Sequence, residues 1–177
     1  MSNIKFKVGS LYAGVGGICQ GFKNSGFKIT WANEIDKHAC ITYRENFSHL
    51  LYEKDIMNLN PSELSHIDVL AGGFPCQPFS VAGYKKGFED ERGNHFFRIL
   101  TFIDKLRPKV IFLENVKNLI SHDSGNTFKI IKNEIKKRNY SFHAKVLNTK
   151  DFGNIPHNRE RIFIIGFDKE NYTDSDT

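Results

Sequence analysis

Cys76 stands in the run Gly72-Gly73-Phe74-Pro75-Cys76-Gln77. A cysteine thiolate is a strong nucleophile, and the residues before it set how it is held. Pro75 fixes its own φ and keeps Phe74 extended, so the turn is rigid. A rigid turn at the carboxyl end of a strand can present a nucleophile. A free cysteine is more often a small buried apolar residue, so spacing alone leaves both readings open. Glu114 opens Glu114-Asn115-Val116, directly after the apolar run Val110 to Leu113. Arg159 and Arg161 flank Glu160 just before the last apolar run. Alternate positions of an extended segment point the same way, so both arginines can face one site. A solvated loop acid and a surface charge cluster are the plainer readings of these two segments.

A second set of residues suits a nucleotide. Gly14, Gly16 and Gly17 lie between an apolar run and a helical pattern. Glycine lets the chain turn tightly and lets a ligand approach the backbone closely. Glu34 follows the next apolar run, 17 residues beyond Gly17, where an acid can accept hydrogen bonds from ribose hydroxyls. Asp55 follows a third short run, Leu50 to Tyr52, and is placed to receive an adenine amino group. Three such features at the ends of three successive strands point to a nucleoside-containing cofactor. They do not separate NAD from S-adenosylmethionine, although Gly14-Val15-Gly16-Gly17 departs from the GxGxxG spacing typical of NAD sites.

The elements that must carry these residues alternate regularly. Strand patterns cover Phe6–Tyr12, Phe27–Ala32, Ile67–Ala71, Val110–Leu113, Ser141–Leu147 and Arg161–Phe167. Helix patterns cover Ile18–Asn24, Asp36–Phe47 with Asp36 as N-cap, His95–Leu106 ending before Pro108, and Thr127–Arg138. Gly72 to Arg92 reads as a loop. Such alternation predicts an α/β fold, a mostly parallel sheet with helices on both faces, whose ligands bind outside the carboxyl ends of the strands. The 177 residues suit one domain, residues 1–167, with 168–177 a polar tail or severed linker.

Composition adds bounds. The chain is 40% apolar and 25% charged, with no apolar run approaching the about 18 residues of a membrane span. No apolar leader follows the polar start, so the cytoplasm is the expected location. Cys19, Cys40 and Cys76 form no CxxC pair, which supports neither a metal site nor a disulfide framework. The formal charge of +5 and the pI near 9.0 permit a polyanionic partner. The basic run from Lys129 to Arg138 has a solvated helix face as its plain reading.

Six blocks in order carry a resemblance. They are Tyr12-Ala13-Gly14-Val15-Gly16-Gly17, Asn33-Glu34-Ile35-Asp36, Gly73 to Ser80, Gly87 to Gly93, Glu114-Asn115-Val116 and Arg159-Glu160-Arg161. From about Val8 to Gly166 the chain resembles the DNA cytosine-5 methyltransferases. That implies a Rossmann-like, S-adenosylmethionine-dependent methyltransferase fold acting on double-stranded DNA, in the setting of a bacterial restriction-modification system. It implies Cys76 as the nucleophile on cytosine C6, Glu114 at ring nitrogen N3, Arg161 at O2, and Arg159 supporting the thiolate. For S-adenosylmethionine it implies Tyr12, Gly14, Val15 and Gly17 in the binding loop, Glu34 at the ribose, and Asp55 with Ile56 at the adenine. The segment Phe79 to Arg92, with Ser80, Gly83, Lys85, Lys86 and Gly87, matches the loop that closes over a flipped base.

The chain departs from the family pattern in three places. His157 stands where glutamine is usual, and Tyr12 where phenylalanine is common. Family members continue into a target-recognition region and a final helix, and this sequence stops before both. The expectation is a fragment, one subunit of a split enzyme that needs a second polypeptide for target recognition, or a decayed gene. Two other functions compete: methylation of RNA cytosine, and a non-catalytic binding domain that keeps the fold.

Overall fold

A computed structural model describes residues 5–75, 94–153 and 155–172. Seven strands lie among the described residues: β1 Lys7–Leu11, β2 Lys28–Glu34, β3 Leu50–Glu53, β4 Val69–Gly73, β5 Val110–Val116, β6 His143–Asn148 and β7 Glu160–Phe167. The α-helices among the described residues are α1 Gly17–Asn24, α2 Lys37–Asn46, α3 Asn94–Leu106, α4 Asn126–Lys137 and a single turn, α5 Thr149–Phe152. The strand order is β3-β2-β1-β4-β5-β7-β6. Pairs β1–β2, β1–β4 and β2–β3 are parallel, and β6–β7 is antiparallel. The order reverses between β1 and β4, the kind of switch point at which α/β sheets bind ligands.

Two compact units divide the chain, and the division cuts α3 and β5. The first is Met1–Gly73 with Thr101–Ile111, and the second is Phe74–Leu100 with Phe112–Thr177. In the first, β1 is buried from Val8 to Leu11, as expected of a parallel strand covered on both faces. Trp31, Tyr43, Ile67 and Leu70 complete its core. Asp36 caps α2, its side chain accepting from Ala39 N–H at 2.7 Å. In the second unit, Leu113, Leu119, Ile131, Ile135, Tyr140, Ile162 and Ile164 are fully buried.

The second unit differs from the sequence reading in three respects. Strand β5 runs on through Val116, so Glu114 lies inside the strand rather than after it. Its burial alternates without a break, Ile111, Leu113 and Asn115 inward, so Asn115 occupies a core position despite its poor strand preference. The turn α5 also appears, capped by Asn148 accepting from Lys150 N–H. The start of the expected tail is held: Asp168 is fully buried, bridges to Tyr140, and accepts from Glu170 and Asn171. None of the described helices is long and apolar enough to cross a membrane.

Candidate functional site

In the first unit, the loop after β1 shows why Gly14 and Gly16 are glycines. Tyr12 already has φ +52°, and Gly14 and Gly16 follow at +55° and +97°. The three glycines have different surroundings. A Cβ on Gly14 or Gly17 would meet nothing within 4 Å, so the backbone there borders open space. A Cβ on Gly16 would lie 2.2 Å from the Phe47 ring, so Gly16 is required by packing. Val15 between them is 58% exposed.

Glu34, at the end of β2, is tied to this loop. Its Oε2 accepts from Gly14 N–H at 2.7 Å, and its Oε1 accepts from Ile35 and Asp36 N–H at 2.8 and 2.9 Å. A carboxylate offers about four acceptor positions, so one direction remains for a ligand hydroxyl. Asp55 caps the turn Ile56–Asn58, its Oδ1 accepting from Met57 N–H at 2.9 Å. Ile56 is buried, its side chain in the core. Asn33 was given no role from the sequence. It is 2% exposed and donates from Nδ2 to the carbonyls of Tyr52 and Lys54, at 2.9 and 2.7 Å. That clamp ties the end of β2 to the segment leading into Asp55, so it fixes where the two acids stand in the first unit.

In the second unit, Glu114 Oε1 and Arg161 Nε lie 2.9 Å apart, each side chain about one-fifth exposed. The pair follows from strand alternation. Phe112 and Glu114 share one face of β5, and Arg161 and Phe163 share one face of β7. The Phe112 and Phe163 rings meet at 5.6 Å, so the ion pair is the next step along the same face. Arg161 Nη1 also donates to the Glu160 carbonyl. Arg159 is not brought to Glu114. It lies in the irregular segment before β7, exposed, and its side chain makes no hydrogen bond or ion pair among the described residues. Alternation does not reach it, because the extended strand begins at Glu160. His157 is exposed, and its carbonyl accepts from Thr149 Oγ1 and Arg159 N–H.

Cys76, Ser80, Gly83, Lys85, Lys86 and Gly87 lie outside the described residues. The chain leading to Cys76 is held up to Phe74. The Phe74 ring packs 5.7 Å from that of Phe96, and its carbonyl accepts from Asn115 Nδ2 at 2.9 Å. Asn115 Oδ1 in turn accepts from Val116 N–H at 2.8 Å. Both ends of this buried amide are therefore satisfied, one of them by the turn that precedes Cys76. Cys19 and Cys40 are buried, and burial pushes both thiols up, which makes them poor nucleophiles.

Residues 6–176 match the family model for C-5 cytosine-specific DNA methylase. The chain belongs to that family. It is 55% identical over 163 residues to the type II methyltransferase M.Bsp6I of Bacillus sp. strain RFL6, covering 91% of this chain and 52% of that protein. It is 47% identical over 157 residues to M.HhaI of Haemophilus parahaemolyticus, covering 89% of this chain and 47% of that protein. Among solved structures, a Spodoptera frugiperda DNMT2 variant superposes with a TM-score of 0.74 at 27% identity, over 92% of this chain and 50% of that one. The chain thus spans about half the length of the curated relatives it matches. The family and its fold are those of S-adenosylmethionine-dependent methyltransferases. For a member of this family, two groups that no sequence argument assigned, Asn33 and Asn115, brace the first unit's acids and the chain at Phe74 respectively.

Proposed function

We propose that the chain carries the catalytic chemistry of a DNA cytosine-5 methyltransferase, with S-adenosylmethionine as methyl donor and Cys76 as nucleophile. The observation that carries this reading is the Glu114–Arg161 pair on one face of β5 and β7, in the same unit as the braced turn before Cys76. The type II names of the relatives support a place in a restriction-modification system.

The chemistry needs these groups. The Cys76 thiolate adds to C6 of an extruded cytosine, forming the S–C6 bond and pushing an electron pair toward N3 and C5. Glu114 hydrogen-bonds or protonates N3, and Arg161 donates to O2, so both stabilise the charge that develops. Arg161 also orients the Glu114 carboxyl. Arg159, with no side-chain partner among the described residues, is available to stabilise the thiolate. Once C5 has been methylated, its proton leaves as the S–C6 bond breaks. The residues of the first unit fit the cofactor: open space beside Gly14 and Gly17, one acceptor direction left on Glu34, and Asp55 held by its own turn. S-adenosylmethionine supplies the electrophilic methyl group when bound.

Covalent trapping tests the reading. DNA carrying 5-fluorocytosine cannot release its C5 substituent as a cation, so the cysteine adduct persists. The chain is incubated with this DNA and S-adenosylmethionine, alone and with the carboxyl-terminal part of the Bacillus relative. An adduct that disappears in Cys76→Ser is expected. No adduct under either condition, or an adduct that survives Cys76→Ser, overturns it.

A further inference from the structure

We propose that the first unit carries a second ligand site, a cationic cavity that takes a phosphate group at the opposite edge of the strands from the glycine loop. The cavity measures about 590 Å³ and is lined in part by Lys5, Lys23, Lys28, Arg44, Phe47 and His49. Its position follows from the topology of this unit. Lys28 opens β2, and His49 directly precedes β3. Lys23 and Arg44 stand in the last turns of α1 and α2. By contrast, Tyr12–Gly17, Glu34 and Asp55 lie at or just after the carboxyl ends of β1, β2 and β3.

The charge there is uneven. Four cations line the cavity against one acid, Glu45. Helix dipoles explain part of this, since a cation in a last turn offsets the negative helix end. That accounts for Lys23, whose Nζ also sits 5.6 Å over the Phe47 ring, and for Arg44, which pairs with Glu53. It does not account for Lys5 and Lys28, which precede and open strands. Neither ammonium group has an ion-pair partner among the described residues. Lysines that line one cavity without ion-pair partners among the described residues fit a dianion whose oxygens accept several hydrogen bonds. A cavity of this size suits a small ligand.

His49 supplies a second, independent feature. Its Nε2 lies 2.6 Å from the Tyr43 hydroxyl, which donates to Cys19 Sγ at 3.1 Å. Nδ1 of His49 makes no hydrogen bond among the described residues, and protonation of the ring makes both of its nitrogens donors. Burial and the nearby Lys23 push the His49 pKa down. The charged and titratable groups that contact it or line the cavity with it are Lys23 of α1, Tyr43, Arg44 and Glu45 of α2, and Lys5 and Lys28. A phosphate dianion among the lysines opposes their effect and draws His49 toward its charged form. Phosphate binding and proton uptake are therefore reciprocally linked.

Free phosphate and the phosphodiesters of nucleic acid both present this chemistry, and the test separates them. The full chain is titrated calorimetrically with inorganic phosphate and with a short duplex oligonucleotide at constant ionic strength. The His49 ring protons are followed by NMR. Saturable phosphate binding is expected, with the His49 titration midpoint moving up. A Lys5→Ala/Lys28→Ala double variant should lose at least about fivefold in phosphate affinity, and the matching double arginine variant should stay within about twofold of the parent. A parallel loss of duplex affinity in the alanine variant assigns the site to nucleic acid, and unchanged duplex affinity assigns it to a free phosphate compound. The proposal is overturned if the alanine variant binds phosphate as the parent does, or if the His49 resonances do not respond, which means an adventitious ion only.

Discussion

Glu34 and Glu114 are both carboxylates carried by strands, yet their surroundings give them different work. Glu34 spends three acceptor positions on backbone N–H groups, so it is a structural keystone of the glycine loop before any ligand arrives. Charge-assisted bonds of this kind contribute about 1.5–3 kcal/mol each, less where water competes. Glu34→Ala is therefore expected to lower unfolding stability by about 1–3 kcal/mol and to weaken S-adenosylmethionine binding by more than about tenfold. Urea titration and calorimetry read the two effects separately. Binding unchanged in a folded variant would remove Glu34 from the cofactor site. Among the described residues Glu114 holds no backbone group, only Arg161, and a partly exposed pair is worth about 0–1 kcal/mol. Glu114→Gln should thus leave stability nearly untouched while cutting single-turnover methylation by about 10²- to 10⁴-fold, the range for losing a general acid. A large stability loss with intact turnover would reverse that assignment.

At the scale of elements, Gly14 and Gly16 look alike in the sequence and are not alike in the fold. Both have positive φ, which costs a non-glycine residue about 1–2 kcal/mol. Only at Gly16 does the side chain of another element, Phe47, occupy the place of a Cβ. Gly14→Ala is expected to cost about 1–2 kcal/mol. Gly16→Ala adds overpacking of about 1–3 kcal/mol to that strain. Chemical denaturation should rank Gly16→Ala as the more damaging, and the reverse order would refute the packing argument. The strands, the helices and the Asp36 cap were legible in apolar periodicity and cap chemistry. The jobs of Asn33 and Asn115 were not, because polar residues in strands read as strand ends. Asn115 answers a carbonyl 41 residues away, at Phe74, and no local pattern encodes such a partner. The Glu114–Arg161 pair was half legible. The sequence put both charges at strand ends, but it also aligned Arg159, which lies before the start of β7.

The chain carries +5, and part of its basic surface is engaged locally. Lys137 and Arg138 pair with Glu134, Lys117 with Glu160, and Lys109 with Asp68. Two of these carboxylates make stability depend on acid, one in each unit. Burial works against the charge of Asp68, but the Lys7 amide at 2.8 Å and the Lys109 ammonium at 2.9 Å outweigh it and hold its pKa below the usual range. Burial likewise opposes the charge of Glu134, and Lys137 and Arg138 outweigh it in the same direction. A carboxyl whose folded pKa is depressed binds fewer protons in the folded state than in the unfolded one. Its contribution is fully present above the unfolded value of about 4 and is lost as pH falls through the folded value. Asp68→Asn should therefore destabilise the protein near neutrality, and the deficit should shrink as pH falls below about 4, where the parent also loses its charge. Trp31, the single tryptophan, is fully buried and lies in the same unit as Asp68, so its fluorescence reports urea midpoints for that unit across the pH series. A deficit that stays constant from neutral to acid pH would show that Asp68 acts by shape rather than by charge. The same experiment on Glu134→Gln, followed by circular dichroism, asks the question of the second unit, where α4 holds the carboxylate and both of its cationic partners lie within its last turn and cap.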